Sequence, residues 1–253
     1  MKKILLKIIL GLLLIFQSSY SYINIYPVKF DKRIDGEGGN QSYYLYNSTN
    51  KNMRYRIYTE KNLTDKNRDM SEWIEVYPKS VTLKPGEERE IKILIKAPSK
   101  TKAGEYLGIL GIKEVEIPED KTLRETGKGI LQVFTDLKIE IAGFVGNINP
   151  ILEIKNFNIK LSEDGKVNLV GKLKNTGEKR GTFQFYLFNS KGKEKCLLGE
   201  KRILKGKELD LSKVNFSILD EEMKKDIKKY NSIGVIEKGN KEGIKKVILF
   251  KKQ

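Results

Sequence analysis

The 253-residue sequence predicts an all-β protein, built as two β-sandwich domains behind an N-terminal export segment. Three observations carry this. Residues 80–97, SVTLKPGEEREIKILIKA, hold two alternating runs around one tight turn. Similar runs, apolar and polar with a period of two, recur at short spacing and are separated by clusters of Gly, Asn, Pro and Ser. A stretch at residues 146–150, GNINP, interrupts them near mid-chain and reads as an interdomain linker.

The 80–97 stretch is read as the spine of the first domain. Val81 and Leu83 point one way, and Ile91, Ile93 and Ile95 alternate with Glu90, Lys92, Leu94 and Lys96. A run of β-branched residues at alternate positions is a strand with one buried face. Between the runs, Lys84-Pro85-Gly86-Glu87 makes a turn, since proline presets φ and glycine accepts a positive φ. The two runs are expected to form a hairpin.

Composition excludes several function classes. The chain has no histidine and a single cysteine, Cys196, so no Ser-His-Asp, Cys-His or histidine-ligated metal site can be assembled from it. No intrachain disulfide is available, and Cys196 reads as a small apolar strand residue. The formal charge of +16 comes from lysines and arginines dispersed among Glu and Asp, in runs of no more than two. No basic block with stacking aromatics is present, which argues against a nucleic-acid partner. Neither a Gly-rich phosphate loop nor a carboxylate pair is evident, so the chain is not expected to be an enzyme or to need a cofactor.

Residues 1–21 read as a signal peptide: Lys2 and Lys3, an apolar run from Ile4 to Phe16 broken by Lys7, then small residues Ser19 and Ser21, with cleavage before Tyr22. A retained membrane anchor is the alternative, though the run is short for a bilayer, which needs about 20 residues. The first domain (residues 22–146) then opens with a strand at 23–30, where Pro27 marks an edge or a kink. Strands follow at 42–46 and at 53–60, where Met53, Tyr55 and Ile57 form the apolar face. Trp73 is a core plug at the start of a strand over 73–78. Beyond the spine come strands at 105–117 and 130–141, with Leu131, Val133, Leu137, Ile139 and Ile141 on one face and Thr135 among them. About seven strands without a convincing helix indicate an immunoglobulin-like sandwich. The second, smaller domain (residues 147–253) shows the same pattern, with strands at 152–161, 167–174, 182–188, 196–204 and 209–216. Its one helical candidate is 220–230, with acids first and lysines last. A hairpin over 233–237 and 244–250 closes it. Asn-x-Ser/Thr matches, Asn47, Asn62 and Asn215 among them, are expected by chance in so Asn-rich a chain.

The order of elements in the first domain resembles the N-terminal domain of the periplasmic chaperones of chaperone–usher pilus assembly. The matching elements are Pro27-Val28-Lys29, Asn47-Ser48, Ile74-Glu75-Val76-Tyr77-Pro78, Leu83-Lys84-Pro85-Gly86, the 106–117 strand with Pro118, and Leu131-Gln132-Val133. The resemblance implies that the 130–141 strand is lent to a secreted pilin-like subunit lacking a strand of its own. Its inserted side chains would be Leu131, Val133, Thr135 and Leu137. An outer-membrane usher would be a second partner, and the location the periplasm. It also implies two basic residues that hold the subunit's C-terminal carboxylate. One matches Lys29. Matching Leu131-Gln132 to the family puts Glu140 at the other, and Lys138 reaches that place only through a two-residue register shift, which keeps the same face. The alternative is an exported structural or adhesive module that binds a surface protein or polyanion through its basic charge.

Overall fold

The computed structural model of the protein describes residues 23–63, 65, 68–117, 133–161, 166–189, 195–217, 229–238 and 246–249. The expected signal segment, Leu131 and most of the helical candidate lie outside these residues. The chain is all-β and falls into two compact units. One takes the chain up to Lys102 together with Tyr106–Val145; the other takes Ala103–Glu105 and everything from Gly146 on.

Among the described residues, nine strands lie wholly or mainly in the first unit: β1 (Asn24–Tyr26), β2 (Asp31–Arg33), β3 (Gly39–Tyr46), β4 (Met53–Lys61), β5 (Ile74–Tyr77), β6 (Ser80–Leu83), β7 (Glu88–Ile95), β8 (Gly104–Val115) and β9 (Asp136–Val145). They form two facing sheets, β1-β3-β7-β5 and β2-β9-β8-β4-β6. The inward residues make one core: Tyr43 and Leu45, Met53, Tyr55 and Ile57, Leu83, Ile91, Ile93 and Ile95, Leu110 and Ile112, Ile139 and Ile141. Alternation placed these side chains correctly.

Nine strands are present where about seven were expected, and the opening segment explains part of this. Its first half, β1, runs antiparallel to β3, and β2 runs parallel to β9 in the other sheet. Pro27 lies between them and has no N–H to continue a ladder, so the chain leaves one sheet there and joins the other.

The spine is not a hairpin. β6 pairs with β4, whereas β7 pairs with β3 and β5, so the two strands belong to opposite sheets. The expected turn is present, with Gly86 at φ 75° and the Glu87 amide donating to Lys84 O at 3.0 Å, but it arches across the sandwich. Both strands bury their odd positions in one core, so alternation alone cannot tell an arch from a hairpin. Trp73 also differs: it ends a short 3₁₀ turn, Ser71–Trp73, and lies half-buried with its ring 4.9 Å from that of Tyr106.

Asn47 fastens the arch. Its side chain is 1% exposed. Nδ2 donates to Lys51 O at 2.8 Å and to Leu83 O at 3.0 Å, while Oδ1 accepts from the Thr49 amide at 3.0 Å. Its backbone bonds Glu87 O and the Gly86 amide. A side chain so engaged is closed to glycosylation.

The second unit contains β10 (Leu152–Leu161), β11 (Lys166–Asn175), β12 (Gly181–Asn189), β13 (Lys195–Ile203), β14 (Glu208–Asp210), β15 (Phe216–Ser217), β16 (Tyr230–Glu237) and β17 (Lys246–Leu249). One sheet runs β10-β11-β14, with β15 also on β11, and the other runs β13-β12-β16-β17. Cys196 sits in its core, as an apolar strand residue. Tyr230, the last residue of the helical candidate, is instead buried at the start of β16. Asn175 repeats the Asn47 device. Nδ2 donates to Lys179 O at 2.8 Å and to Ile203 O at 3.1 Å, and the backbone bonds Lys207 O and the Gly206 amide, with Gly206 at φ 71°.

Replacing Asn47 by Ala strands buried carbonyls on both sides of the arch, each worth roughly 1–3 kcal/mol. Urea unfolding of Asn47→Ala should show a stability loss of about 2–4 kcal/mol, and Asn175→Ala a comparable loss in the second unit's transition.

Candidate functional site: the β9 strand and its rim

The strand expected at 130–141 is observed as Asp136–Val145. Its start is later and its end further on, because β2 pairs with it at Ala142, Gly143 and Phe144 and extends the ladder there. Thr135 is tied to β8: the Glu114 amide donates to Thr135 O at 2.8 Å, and the Thr135 amide donates to Glu114 Oε2 at 3.4 Å.

The rim of this sheet is formed by β2, which covers only the 142–144 end of β9. Among the described residues, no further strand flanks residues 136–141 on that side. Ahead of β9 the chain runs on with Val133 77% and Phe134 41% exposed.

The expected partner-contacting residues therefore divide. Val133 is open to solvent, Thr135 is half-buried at the end of the sheet, and Leu137 packs partly against the core. Leu131 lies outside the described residues.

The two expected anchoring lysines are placed differently. Lys29 lies exposed between β1 and β2. Gln41 Nε2 donates to its carbonyl at 2.6 Å, and the next residue's carbonyl, Phe30 O, accepts from the Ala142 amide at 2.9 Å. Lys29 is thereby held beside β9, and among the described residues no carboxylate pairs with its ammonium. Lys138 faces outward and is paired: its Nζ donates to Glu60 Oε2 at 2.7 Å and Oε1 at 3.0 Å. That hydrogen bond and the neighbouring Glu60 and Asp136 charges raise its pKa.

This ion pair is the middle rung of a ladder spanning three strands. Tyr58 OH donates to Asp136 Oδ1 at 2.8 Å on one side, and Asn62 Nδ2 donates to Glu140 Oε2 at 3.0 Å on the other. Residues 58, 60 and 62 thus meet 136, 138 and 140 over the top of β8, which lies between β4 and β9. Tyr58 is opposite Gly111 on β8, and a Cβ at Gly111 would fall 2.2 Å from the ring's Cζ. Glycine is what lets the ring cross. Burial, then the hydrogen bond to Asp136 and nearby carboxylate charge, push the Tyr58 hydroxyl up to about 12.

Glu60, Tyr58, Asn62 and Gly111 were missed by the sequence reading. Their signal is the match of Tyr-x-Glu-x-Asn to Asp-x-Lys-x-Glu, which becomes visible only once the strand order is known. Among the described residues, no group of three or more His, Cys, Asp or Glu could hold a metal ion.

No family model matches the chain, and no curated protein matches it. Solved structures similar to it include the class 5 fimbriae chaperone CfaA (18% identity, 92% of this chain and 100% of that one, TM-score 0.42). Others are the Salmonella enterica SafA pilin–SafB chaperone complex (11% identity, 92% and 97%, TM-score 0.46) and the Pseudomonas aeruginosa CupB2 chaperone (10%, 90% and 100%, TM-score 0.42).

A tyrosinate titration tests the ladder. Wild type should show hydroxyls ionising near pH 12, those of Tyr58 and the buried Tyr55. Tyr58→Phe should remove one of them, and Gly111→Ala should return Tyr58 toward its ordinary value of about 10. The folded chain holds these protons to higher pH than the unfolded chain. Their stabilisation is therefore complete below about pH 10 and is lost as pH rises through about 12.

Proposed function

We propose that the chain is a periplasmic assembly chaperone that binds and stabilises a secreted pilin-like subunit by pairing β9, with the residues just ahead of it, to the subunit's open sheet edge. The observation that carries this reading is the rim of the β2-β9-β8-β4-β6 sheet. There a three-residue β2 leaves the first part of β9 as the outermost strand among the described residues. An incomplete partner sandwich has an apolar groove and an unsatisfied backbone edge; an added strand with alternating apolar side chains fills both needs. Val133, already exposed, Leu131 two residues before it, and Thr135 and Leu137 after it supply that alternation.

Lys29 is the cation available to a subunit's terminal carboxylate, beside the strand that pairs. Lys138 takes part in the same anchoring by sharing its ammonium between Glu60 and the bound carboxylate. The order of elements behind a predicted signal segment supports a location in the periplasm, with an outer-membrane usher as the further partner.

The test is an affinity pull-down of tagged residues 22–253 from the cell envelope, washed in high salt. A small subunit in stoichiometric amount should survive the wash, be lost with Leu131→Asp plus Val133→Asp, and be weakened about tenfold by Lys29→Ala, a loss near 1.4 kcal/mol. Retention by the double variant overturns strand pairing. Partners that salt strips from wild type would instead identify a surface module acting through its basic charge.

A further inference from the structure

We propose that Glu60 is a positioning residue that sets the register in which β9 is presented. A slip of two residues keeps every side chain on its own face, so inward alternation at Leu137, Ile139 and Ile141 does not by itself forbid it. The outer face does. Lys138 is flanked two residues away by Asp136 on one side and Glu140 on the other. In the observed register, Glu60 meets the one lysine of the three. A slip in either direction brings Glu60 against a carboxylate, and like charges across a sheet are destabilising. The neighbouring rungs add to the preference. Tyr58 donates to Asp136, and a slip would offer it Lys138 or Phe134; Asn62 donates to Glu140, and a slip would offer it Lys138 or Ala142.

The device fits its place. The β2 ladder grips β9 only from Ala142 onward, so residues 136–140 take their alignment from β8 and from this outer ladder. A slip of two residues moves the leading residues by roughly 7 Å, which would change which apolar side chains extend beyond the sheet. The consequence for partner binding rests on the function proposed above; the register assignment does not.

The register can be read on the chain alone by NMR, from the cross-strand NOEs of the Glu114 amide, which bonds Thr135 O in this structure. In Glu60→Lys, the native register repels Lys138 and both slipped registers attract an acid. A second set of NOEs, from Glu114 to the vicinity of Val133 or Leu137, should appear. A sign-inverted variant, Glu60→Lys with Asp136→Lys, Lys138→Glu and Glu140→Lys, restores a unique charge match and should return the single native set. Glu60→Gln serves if the lysine variant does not fold, and should populate the second register to a smaller extent. A single native NOE set in Glu60→Lys, or in Glu60→Gln where that variant is used, overturns the proposal, as does failure of the inverted variant to differ from Glu60→Lys. A register change accompanied by unchanged subunit capture would leave the positioning role standing and count against strand pairing as the mode of binding.

Discussion

A buried asparagine amide at the foot of each sandwich is the constraint on which the architecture depends. Asn47 and Asn175 each close a turn that carries the chain from one sheet to the other, bonding carbonyls on both sides of the crossing. At such a crossing the backbone leaves one ladder before it joins the next, and its polar groups would be buried without partners. A primary amide supplies two donors and an acceptor from a short, rigid stem. Leucine or alanine would leave the carbonyls dry, and a longer amide would not keep the same reach. Both turns also place a glycine at positive φ, Gly86 and Gly206, whose amide bonds back to the asparagine carbonyl. The recurrence of the whole arrangement in two sandwiches of unlike sequence shows a solution set by geometry.

Once β6 and β7 are assigned to opposite sheets, the remaining strands have little freedom. β7 takes β3 and β5, β4 takes β6 and β8, and β9 can only lie beyond β8. The opening segment, divided at Pro27, contributes a strand to each sheet, and the second of these is too short to cover β9. The rim left uncovered among the described residues is thus a consequence of the split at proline together with the length of β2. The same split brings Lys29 alongside β9, since its neighbour Phe30 is the residue whose carbonyl reaches Ala142.

The outer ladder shows how a charge pattern acquires meaning. Asp136, Lys138 and Glu140 look like the ordinary polar face of a half-buried strand. Facing Tyr58, Glu60 and Asn62 across Gly111, they become a sequence of complementary rungs with the single cation in the middle. Exposed ion pairs contribute little stability individually, about 0–1 kcal/mol. Their value here is discrimination between registers that the apolar face treats alike.

The sequence by itself determined which side chains face the core and where the chain turns. Alternation at Met53, Tyr55 and Ile57, at Ile91, Ile93 and Ile95, and at Leu137, Ile139 and Ile141 is a local property with a period of two, readable without knowing any partner strand. The Lys84-Pro85-Gly86-Glu87 turn was legible for the same reason, because proline and glycine restrict their own φ. Tertiary structure alone decided which sheet each strand joins. The expected hairpin at 80–97 became an arch, and the strand expected to begin at 130 begins at Asp136 and gains its far end from β2. Pairing is a choice among distant strands with similar alternation, settled by the burial of the whole set and by side chains such as Asn47 and Glu60, whose partners lie 36 and 78 residues away. No window of sequence contains both ends of such a contact.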